Sequence, residues 1–191
     1  NIFMLGSSTH AFKVNFCKFT NETRLYIEDA SAHSGQTWIA ALNGVASGGG
    51  YELPLACEEI YLVDDRRSAV ALPEVPFLGV LPGTGGLTRV VDKRKVRRDR
   101  ADVFCTLAEG FKGKRALEWG LVDTIAPRSR FDENLQNHLD QILQDRPGRQ
   151  DRKGIVLGPI EISDVDGVRS TSTLSVAYQS EKRTAEFTIE V

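Results

Sequence analysis

One stretch of the sequence joins a predicted strand to a predicted helix: Asn43-Gly44-Val45-Ala46-Ser47-Gly48-Gly49-Gly50-Tyr51-Glu52. The strand is expected over residues 38–42, and the helix continues through the apolar run at 53–57. Three consecutive glycines at this junction let backbone N–H groups approach a ligand without a Cβ in the way. The start of the helix adds a partial positive charge, and Glu52 supplies a carboxylate beside it. Chemistry at an acyl thioester needs such an anion-stabilising backbone next to a proton-transferring group.

A second candidate carboxylate, Glu74, lies 22 residues further along, in Leu72-Pro73-Glu74-Val75-Pro76. Two carboxylates that face one water repel each other, which raises one pKa and lets one group act as acid and the other as base. Taken alone, Glu52 would be a solvated residue that stabilises the first turn of a helix, and Glu74 would be a loop acid.

Three further motifs have ordinary structural interpretations. The cluster Gly83-Thr84-Gly85-Gly86 lacks the Lys-Ser/Thr of a phosphate loop, so we expect a close-packed turn into a helix. The basic run at 93–100 carries no interleaved aromatic residues, so an exposed helix start or an oligomer contact is favoured over CoA-phosphate contacts or a nucleic-acid site. Ser47 is not in a G-x-S-x-G motif, because Val45 replaces the first glycine, and this disfavours a serine hydrolase.

The composition excludes several classes of function. With 191 residues, 41% hydrophobic and 26% charged, the chain is typical of a soluble globular protein. A formal net charge of -2 gives no attraction to nucleic acid or to a membrane surface, and no apolar run approaches the ~18 residues of a membrane span.

The three cysteines, Cys17, Cys57 and Cys105, indicate buried thiols in a reducing compartment, so a cytoplasmic location is expected. The three histidines show no paired metal-ligand spacing, and we expect no metal site.

Apolar periodicity predicts alternating helices and strands. A helix is expected over residues 11–32, in one or two pieces around Asn21 and closed by His33-Ser34-Gly35. Buried strands are predicted at 38–42, 60–63 and 69–72. Two later helices are marked by their apolar residues, which are Phe104, Leu107, Ala108 and Phe111 in the first and Phe131, Leu135, Leu139, Ile142 and Leu143 in the second.

The composition changes near residue 146. Residues 146–154 are polar and read as a linker after a domain at 1–145. Beyond them, residues 155–191 are predicted to be the β-rich start of a second domain, with a hairpin that turns at Ser180-Glu181-Lys182. The chain opens on Asn1 without a Met and ends inside a strand pattern, so we expect a fragment of a longer protein.

The motifs, taken in order, resemble the crotonase superfamily, also called the enoyl-CoA hydratase/isomerase family. The matching segments are residues 38–43, 48–53, 71–74, 79–83 and 119–123. No single segment is specific, whereas the ordered set is. The resemblance implies an α/β fold built as a spiral of ββα units, truncated at its N-terminus, over roughly residues 1–145.

The resemblance also implies roles for individual residues. Gly49 would supply one of two backbone N–H groups that hold the thioester oxygen, and its partner donor would lie before Asn1. Glu52 and Glu74 would be the catalytic glutamates, with acid and base unassigned.

Glu74 lies two residues further from Glu52 than in typical hydratases, which we assign to an insertion in the turn at residues 64–67. The implied substrate pocket comprises Gly48, Gly50, Tyr51, Leu81 and Gly83. No cofactor is implied, because CoA enters as part of the acyl-CoA substrate, and a homo-oligomer is expected.

The blocks at residues 1–6, 12–24 and 88–97 are unusual for ordinary hydratases. They are similar to a branch of the family that opens the ring of 2,3-epoxybenzoyl-CoA with water and releases formate during aerobic benzoate degradation. Two alternatives stay open. The chain could come from an ordinary enoyl-CoA hydratase, or it could be a non-catalytic scaffold or interaction fragment.

Overall fold

The computed structural model describes residues 7–145, 156 and 158–190. It divides the chain into two compact units, Asn1–Pro147 and Gly148–Val191. The predicted linker at 146–154 lies outside the described residues, so the proposed domain boundaries stay a prediction.

Helices and strands alternate along the first unit. Its helices are α1 (His10–Ser34), α2 (Gly49–Ala56), α3 (Glu74–Leu78), α4 (Gly86–Thr88), α5 (Arg98–Thr106), α6 (Gly113–Glu118) and α7 (Phe131–Asp145). Its strands are β1 (Ile39–Leu42), β2 (Val45–Ser47), β3 (Glu59–Val63), β4 (Ala69–Ala71), β5 (Phe111–Lys112) and β6 (Thr124–Ala126). A π-helical turn, Arg89–Lys93, continues α4, and a 3-10 turn, Arg128–Arg130, precedes α7. No helix of the described residues is both long enough and apolar enough to cross a membrane.

The strands of this unit form two sheets of three strands. The first has the order β1-β3-β6 and is parallel throughout. In the second, of order β2-β4-β5, β2 runs parallel to β4, and β5 runs antiparallel to β4. Only Asn43 and Gly44 separate β1 from β2. The chain therefore passes from one sheet to the other directly before the triple glycine.

An apolar core packs around α2, β3 and β4. Its largest fully buried side chains are Tyr51, Phe104, Phe111, Leu55, Ile60, Leu62, Leu72 and Leu121. Three of the rings meet edge to face, with centroid distances of 5.9 Å between Tyr51 and Phe104 and 5.6 Å between Phe104 and Phe111. The Tyr51 hydroxyl donates a hydrogen bond of 2.6 Å to the carbonyl of Leu121. This core contact anchors α2 at the residue that directly follows the glycines.

The three predicted strands are present, but the first is not buried, since β1 is only half-buried or exposed along its length. The first predicted helix is one continuous helix, α1, which Gly35 ends in the left-handed conformation at φ 66. The spacing of its apolar residues predicts a stripe of Phe12, Phe16, Phe19, Tyr26, Ile27 and Ala30. Of these, Ile27 is buried in a small core cluster, whereas Phe12, Phe16, Phe19 and Tyr26 are exposed.

Two other sequence-based expectations are wrong. The helix predicted through Phe111 ends at Thr106, and the chain turns at Gly110, where φ is 65. Phe111 then pairs with Val70 in an antiparallel ladder, so that its ring enters the core from a strand. Cys57 and Cys105 are buried as expected, whereas Cys17 is exposed on α1, and all three thiols are free.

The second unit is a four-stranded antiparallel sheet of order β10-β9-β8-β7. Its strands are β7 (Ser163–Val165), β8 (Val168–Ser170), β9 (Leu174–Gln179) and β10 (Thr184–Ile189). The predicted hairpin is confirmed, since Gln179 of β9 pairs with Thr184 of β10. The β7–β8 hairpin was missed, although Asp166-Gly167, with φ of 52 and 78, is the Asp-Gly pair that favours tight hairpin turns.

The turn at Gly110 allows a first test. We expect Gly110→Ala to destabilise the first unit by about 2 kcal/mol or more, because φ is positive there and a Cβ would collide with the carbonyl oxygen of Val70. Gly44→Ala is the matched control, since no atom lies within 4 Å of a Cβ at Gly44. It should change stability by less than about 0.5 kcal/mol. Urea denaturation followed by fluorescence of Trp38 and Trp119, both in the first unit, measures the difference.

Candidate active site

The candidate site lies where two parallel strands end side by side. Ser47, the last residue of β2, pairs with Ala71, the last residue of β4. The N–H of the next residue, Gly48, donates a 2.9 Å hydrogen bond to the carbonyl of Ala71. The segments that leave the two strands, Gly48-Gly49 and Pro73-Glu74, therefore meet at one edge of the sheet.

Gly48 is the N-cap residue of α2, directly before the first helical residue, Gly49. Its backbone has φ 56 and ψ -127, a conformation that suits glycine. Its carbonyl accepts the N–H groups of Tyr51 and Glu52, at 2.8 and 2.9 Å. The N–H of Gly49 opens the helix, where the first turn has no backbone acceptor for it. A Cβ on Gly48 would lie 2.9 Å from Oε1 of Glu74. Glycine at this position thus lets the Glu74 carboxyl lie directly beside the turn.

A cavity of about 560 Å³ opens at this edge and is lined by Ser47, Gly48, Gly49, Pro73, Glu74, Phe77 and Leu78. Glu74 and the glycine backbone supply its polar end. Phe77 and Leu78 supply an apolar wall, and their side chains are 69% and 45% exposed. A cavity with apolar walls and a few convergent polar groups is typical of a small-molecule site.

Glu74 is half-buried at the start of α3, and its Oε2 has no hydrogen-bond partner among the described residues. Burial raises the pKa of the Glu74 carboxyl above its ordinary value, its own backbone N–H partly opposes this, and the charge of Glu52 raises the pKa further. The carboxyl that faces the cavity is therefore biased towards its protonated, proton-donating form.

Glu52 is buried in α2, and both of its carboxylate oxygens are bonded. Oε2 accepts a hydrogen bond of 3.1 Å from Nη2 of Arg24 and another from the hydroxyl of Thr84. Oε1 accepts the N–H of Gly86 at 3.0 Å. Glu52 is not among the described residues that line the cavity. The two glutamates are thus close enough to interact electrostatically, but only Glu74 faces the open space.

Of the other residues of the predicted pocket, some line the cavity and others do not. Gly48 and Gly49 line the cavity, whereas Tyr51 is fully buried in the core and its hydroxyl is bonded to Leu121. Gly50, Leu81 and Gly83 are exposed and do not belong to the described cavity lining. Within residues 7–145, 156 and 158–190, no cluster of three or more His, Cys, Asp or Glu side chains could hold a metal ion.

Several residues of the site were not found from the sequence. Phe77 and Leu78 follow Glu74 by three and four positions, the spacing that places side chains on one helix face, so a helix pattern could have found them. Ser47 and Pro73 flank the predicted glycine and glutamate positions. Arg24, which binds Glu52, lies 28 residues before it on another helix, and no local pattern indicates this contact.

Comparisons with known proteins give the family and the fold of the chain. A family model described as enoyl-CoA hydratase/isomerase matches residues 23–152. A benzoyl-CoA-dihydrodiol lyase from Aromatoleum evansii is 61% identical over 163 residues, which are 84% of this chain and 29% of that protein.

Solved structures with similar folds include two enoyl-CoA hydratases. The hydratase from Geobacillus kaustophilus HTA426 is 35% identical, with a TM-score of 0.65 over 74% of this chain and 51% of that one. The hydratase from Thermoplasma volcanium GSS1 is 25% identical, with a TM-score of 0.64 over 75% of this chain and 53% of that one. The chain thus spans about half the length of these hydratases and less than a third of the lyase.

The environment of Glu74 predicts a pH-dependent stability difference. Because folding raises the pKa of Glu74, the wild type loses stability as the pH rises above the ordinary value of 4.5 and through the folded value. Glu74→Gln does not titrate, so it should be more stable than the wild type at neutral pH, by up to about 1 kcal/mol given that water screens a half-buried group.

Below about pH 4 the stability advantage of Glu74→Gln should vanish, because the wild-type carboxyl is then neutral in both states. Thermal unfolding between pH 4 and 8 measures the difference, with Glu118→Gln as the control at an exposed position. A Glu74→Gln variant that is less stable than the wild type at neutral pH would contradict the assignment of Glu74 as an unsatisfied, partly buried carboxyl.

Proposed function

The chain belongs to the enoyl-CoA hydratase/isomerase family, and from this we propose that the full-length protein that contains it opens the ring of 2,3-epoxybenzoyl-CoA with water and releases formate. The observation that carries the proposal is the 61% identity to a benzoyl-CoA-dihydrodiol lyase. A dihydrodiol is the epoxide of the same ring plus one water, so that name and the proposed substrate describe successive states of one aromatic acyl-CoA. The protein is then a carbon–carbon lyase that acts on a CoA thioester.

The proposal gives the glycine turn the role of an oxyanion site. The thioester oxygen lies at the N–H of Gly49, where the start of α2 favours negative charge. Breaking a C–C bond of the ring sends electrons towards the thioester carbonyl, and a hydrogen bond that strengthens as this charge develops accelerates the step. The apolar wall formed by Phe77 and Leu78 suits the carbon ring at the other end of the cavity.

Glu74 has the role of proton donor and acceptor in this proposal. Its protonated form gives a proton to the epoxide oxygen as the C–O bond breaks, and the resulting carboxylate accepts a proton from the attacking water. This assignment is supported by its raised pKa and by its position at the cavity. Glu52 is proposed to hold negative charge beside it, because its oxygens are bonded to Arg24, Thr84 and Gly86.

The wider context of the proposal follows the family resemblance. CoA enters as part of the substrate, and no further cofactor is proposed. Residues 1–145 form part of the catalytic domain, 146–154 a linker, and 155–191 the start of a second domain. We also propose a cytoplasmic homo-oligomer, and the exposed rings of Phe12, Phe16 and Phe19 on α1 are the kind of apolar surface that subunit contacts cover.

Turnover of 2,3-epoxybenzoyl-CoA by the full-length protein tests the proposal. Formate release should be seen with the wild type and should fall by about 10²–10⁴ in Glu74→Gln, because a positioned acid–base group contributes that much. Glu118→Gln, at an exposed position on α6, should keep the wild-type rate. Formate measured by a coupled formate dehydrogenase assay gives the rates.

Two other results would replace the proposal. Fast hydration of crotonyl-CoA without formate release from the epoxide would identify an ordinary enoyl-CoA hydratase. Activity that is unchanged in both Glu52→Gln and Glu74→Gln would mean that these carboxylates take no part in catalysis and would favour the scaffold alternative.

The oxyanion role of Gly49 has its own test. Gly49 is the first residue of α2, a position where proline fits a helix well, so Gly49→Pro removes the N–H with little damage to the helix. We expect kcat to fall by about 10²–10³, the cost of removing one such donor. Gly49→Ala keeps the N–H, and its Cβ would have no neighbour closer than Nη2 of Arg24 at 4.0 Å. Equal losses of kcat in the two variants would argue against the N–H as the important group.

A further inference from the structure

Arg24 is a buried cation of the first unit. Its side chain projects from α1 and is 4% exposed. Nη2 donates to Oε2 of Glu52 at 3.1 Å, and Nη1 donates to the carbonyl of Thr84 at 3.4 Å. One guanidinium therefore connects α1, α2 and the glycine turn that precedes α4.

Stability alone does not account for this arginine. Burial lowers the pKa of Arg24, and the charge of Glu52 only opposes that effect. Nε of Arg24 is buried without a hydrogen-bond partner among the described residues. A buried ion pair can often be replaced by apolar side chains without loss of stability, so the pair by itself is weak evidence for a purely stabilising role.

The guanidinium also lies next to the glycine turn. A Cβ on Gly49 would be 4.0 Å from Nη2 of Arg24. On the opposite side of the Glu52 carboxylate, a Cβ on Gly86 would come within 2.8 Å of both Cγ and Oε1 of Glu52. The carboxylate is therefore held by Arg24 and by the Gly86 backbone, and the guanidinium that holds it lies next to Gly49, which lines the cavity.

The nearby cation Arg89 is paired with Glu28 and not with Glu52. Arg89 binds Glu28 with two nitrogens, Nε to Oε1 at 2.8 Å and Nη2 to Oε2 at 2.9 Å. Glu28 lies one turn after Arg24 on α1, so the two ion pairs stand next to each other. Because Arg89 is engaged with Glu28, it does not take the place of Arg24 at Glu52.

We propose that Arg24 is a positioning residue of the candidate active site, which holds the Glu52 carboxylate in one orientation. The inference rests on the proposed function, since it requires that the charge of Glu52 act on Glu74 during turnover of a thioester. Arg24 does not itself contact the cavity. Its effect on turnover must therefore pass through Glu52.

A double-mutant cycle in the full-length protein tests this dependence. The variants are Arg24→Gln, Glu52→Gln and the combination of both, assayed with 2,3-epoxybenzoyl-CoA and crotonyl-CoA. Arg24→Gln should lower kcat by about 10²-fold, the effect of a misplaced catalytic group, and change KM by less than about threefold. In the Glu52→Gln background the same substitution should change kcat by less than about twofold, because the residue that it positions is already altered.

Two further variants separate positioning from folding. Arg24→Lys keeps the charge and should recover part of the lost kcat. Arg89→Gln breaks the adjacent ion pair of α1 without touching Glu52, so it should lower the unfolding temperature but leave kcat within about twofold of the wild type. If Arg24→Gln fails to fold, Arg24→Lys replaces it in the cycle: a loss of kcat in Arg24→Lys that disappears in the Glu52→Gln background supports the proposal, and a wild-type kcat in Arg24→Lys or a loss that persists in that background overturns it.

The outcomes distinguish this proposal from the one on which it rests. A wild type that turns over either thioester, with kcat unchanged in Arg24→Gln, overturns the role of Arg24 alone. Independent, additive losses in the cycle also overturn it, since they would show that Arg24 acts without Glu52. A wild type that turns over neither thioester overturns both proposals together.

Discussion

The candidate site depends on the parallel pairing of β2 with β4, which the bond from the Gly48 N–H to the Ala71 carbonyl extends by one residue. Everything at the cavity follows from where these two strands end. The glycine turn leaves one strand and the loop to Glu74 leaves the other, so the glycine backbone and a carboxyl meet although Gly49 and Glu74 lie 25 positions apart in the chain. The same constraint explains why position 48 is glycine, because a Cβ there would press on the Glu74 carboxyl.

The two carboxyls differ in what surrounds them. Glu52 is more deeply buried, yet both of its carboxylate oxygens accept hydrogen bonds, from a guanidinium, a hydroxyl and a backbone N–H. Glu74 is less buried, but its Oε2 has no partner among the described residues. Burial therefore raises the pKa of the Glu74 carboxyl, because no hydrogen bond to Oε2 replaces the lost water. The two carboxyl groups therefore differ chemically more because of their hydrogen bonds than because of how deeply each is buried.

The sequence was sufficient for the features that local chemistry determines. Strand β1, helix α2 after the glycines, the strands β3 and β4, helix α7 and the hairpin of β9 and β10 all follow from apolar periodicity and turn residues. Strand β2, which leads directly into the glycines, was not predicted. The convergence of Gly49 and Glu74 was expected from the family resemblance, and their roles remain proposals. The sequence also placed Tyr51 in the pocket, whereas its ring packs in the core beneath the turn.

The remaining features depend on contacts between distant residues. Arg24 meets Glu52 only after α1 packs on α2, and Phe111 becomes a strand residue only because Gly110 turns the chain towards Val70. The aromatic stripe of α1 has the spacing of a buried face, but the described residues leave it exposed. Periodicity shows which side chains share a face and not what that face meets.

The bond between the Tyr51 hydroxyl and the Leu121 carbonyl also bears on how the glycine turn behaves while charge develops at a ligand. Gly49 can shift only if α2 shifts, and α2 is held by a phenol ring that is fully enclosed in the core. The Gly49 N–H, which we propose as the oxyanion donor, is then preorganised: little reorganisation free energy is spent in turning it towards a nascent oxyanion, as water dipoles would have to turn. In the proposed site the glycines provide access for the ligand, and the aromatic residue that follows them provides rigidity.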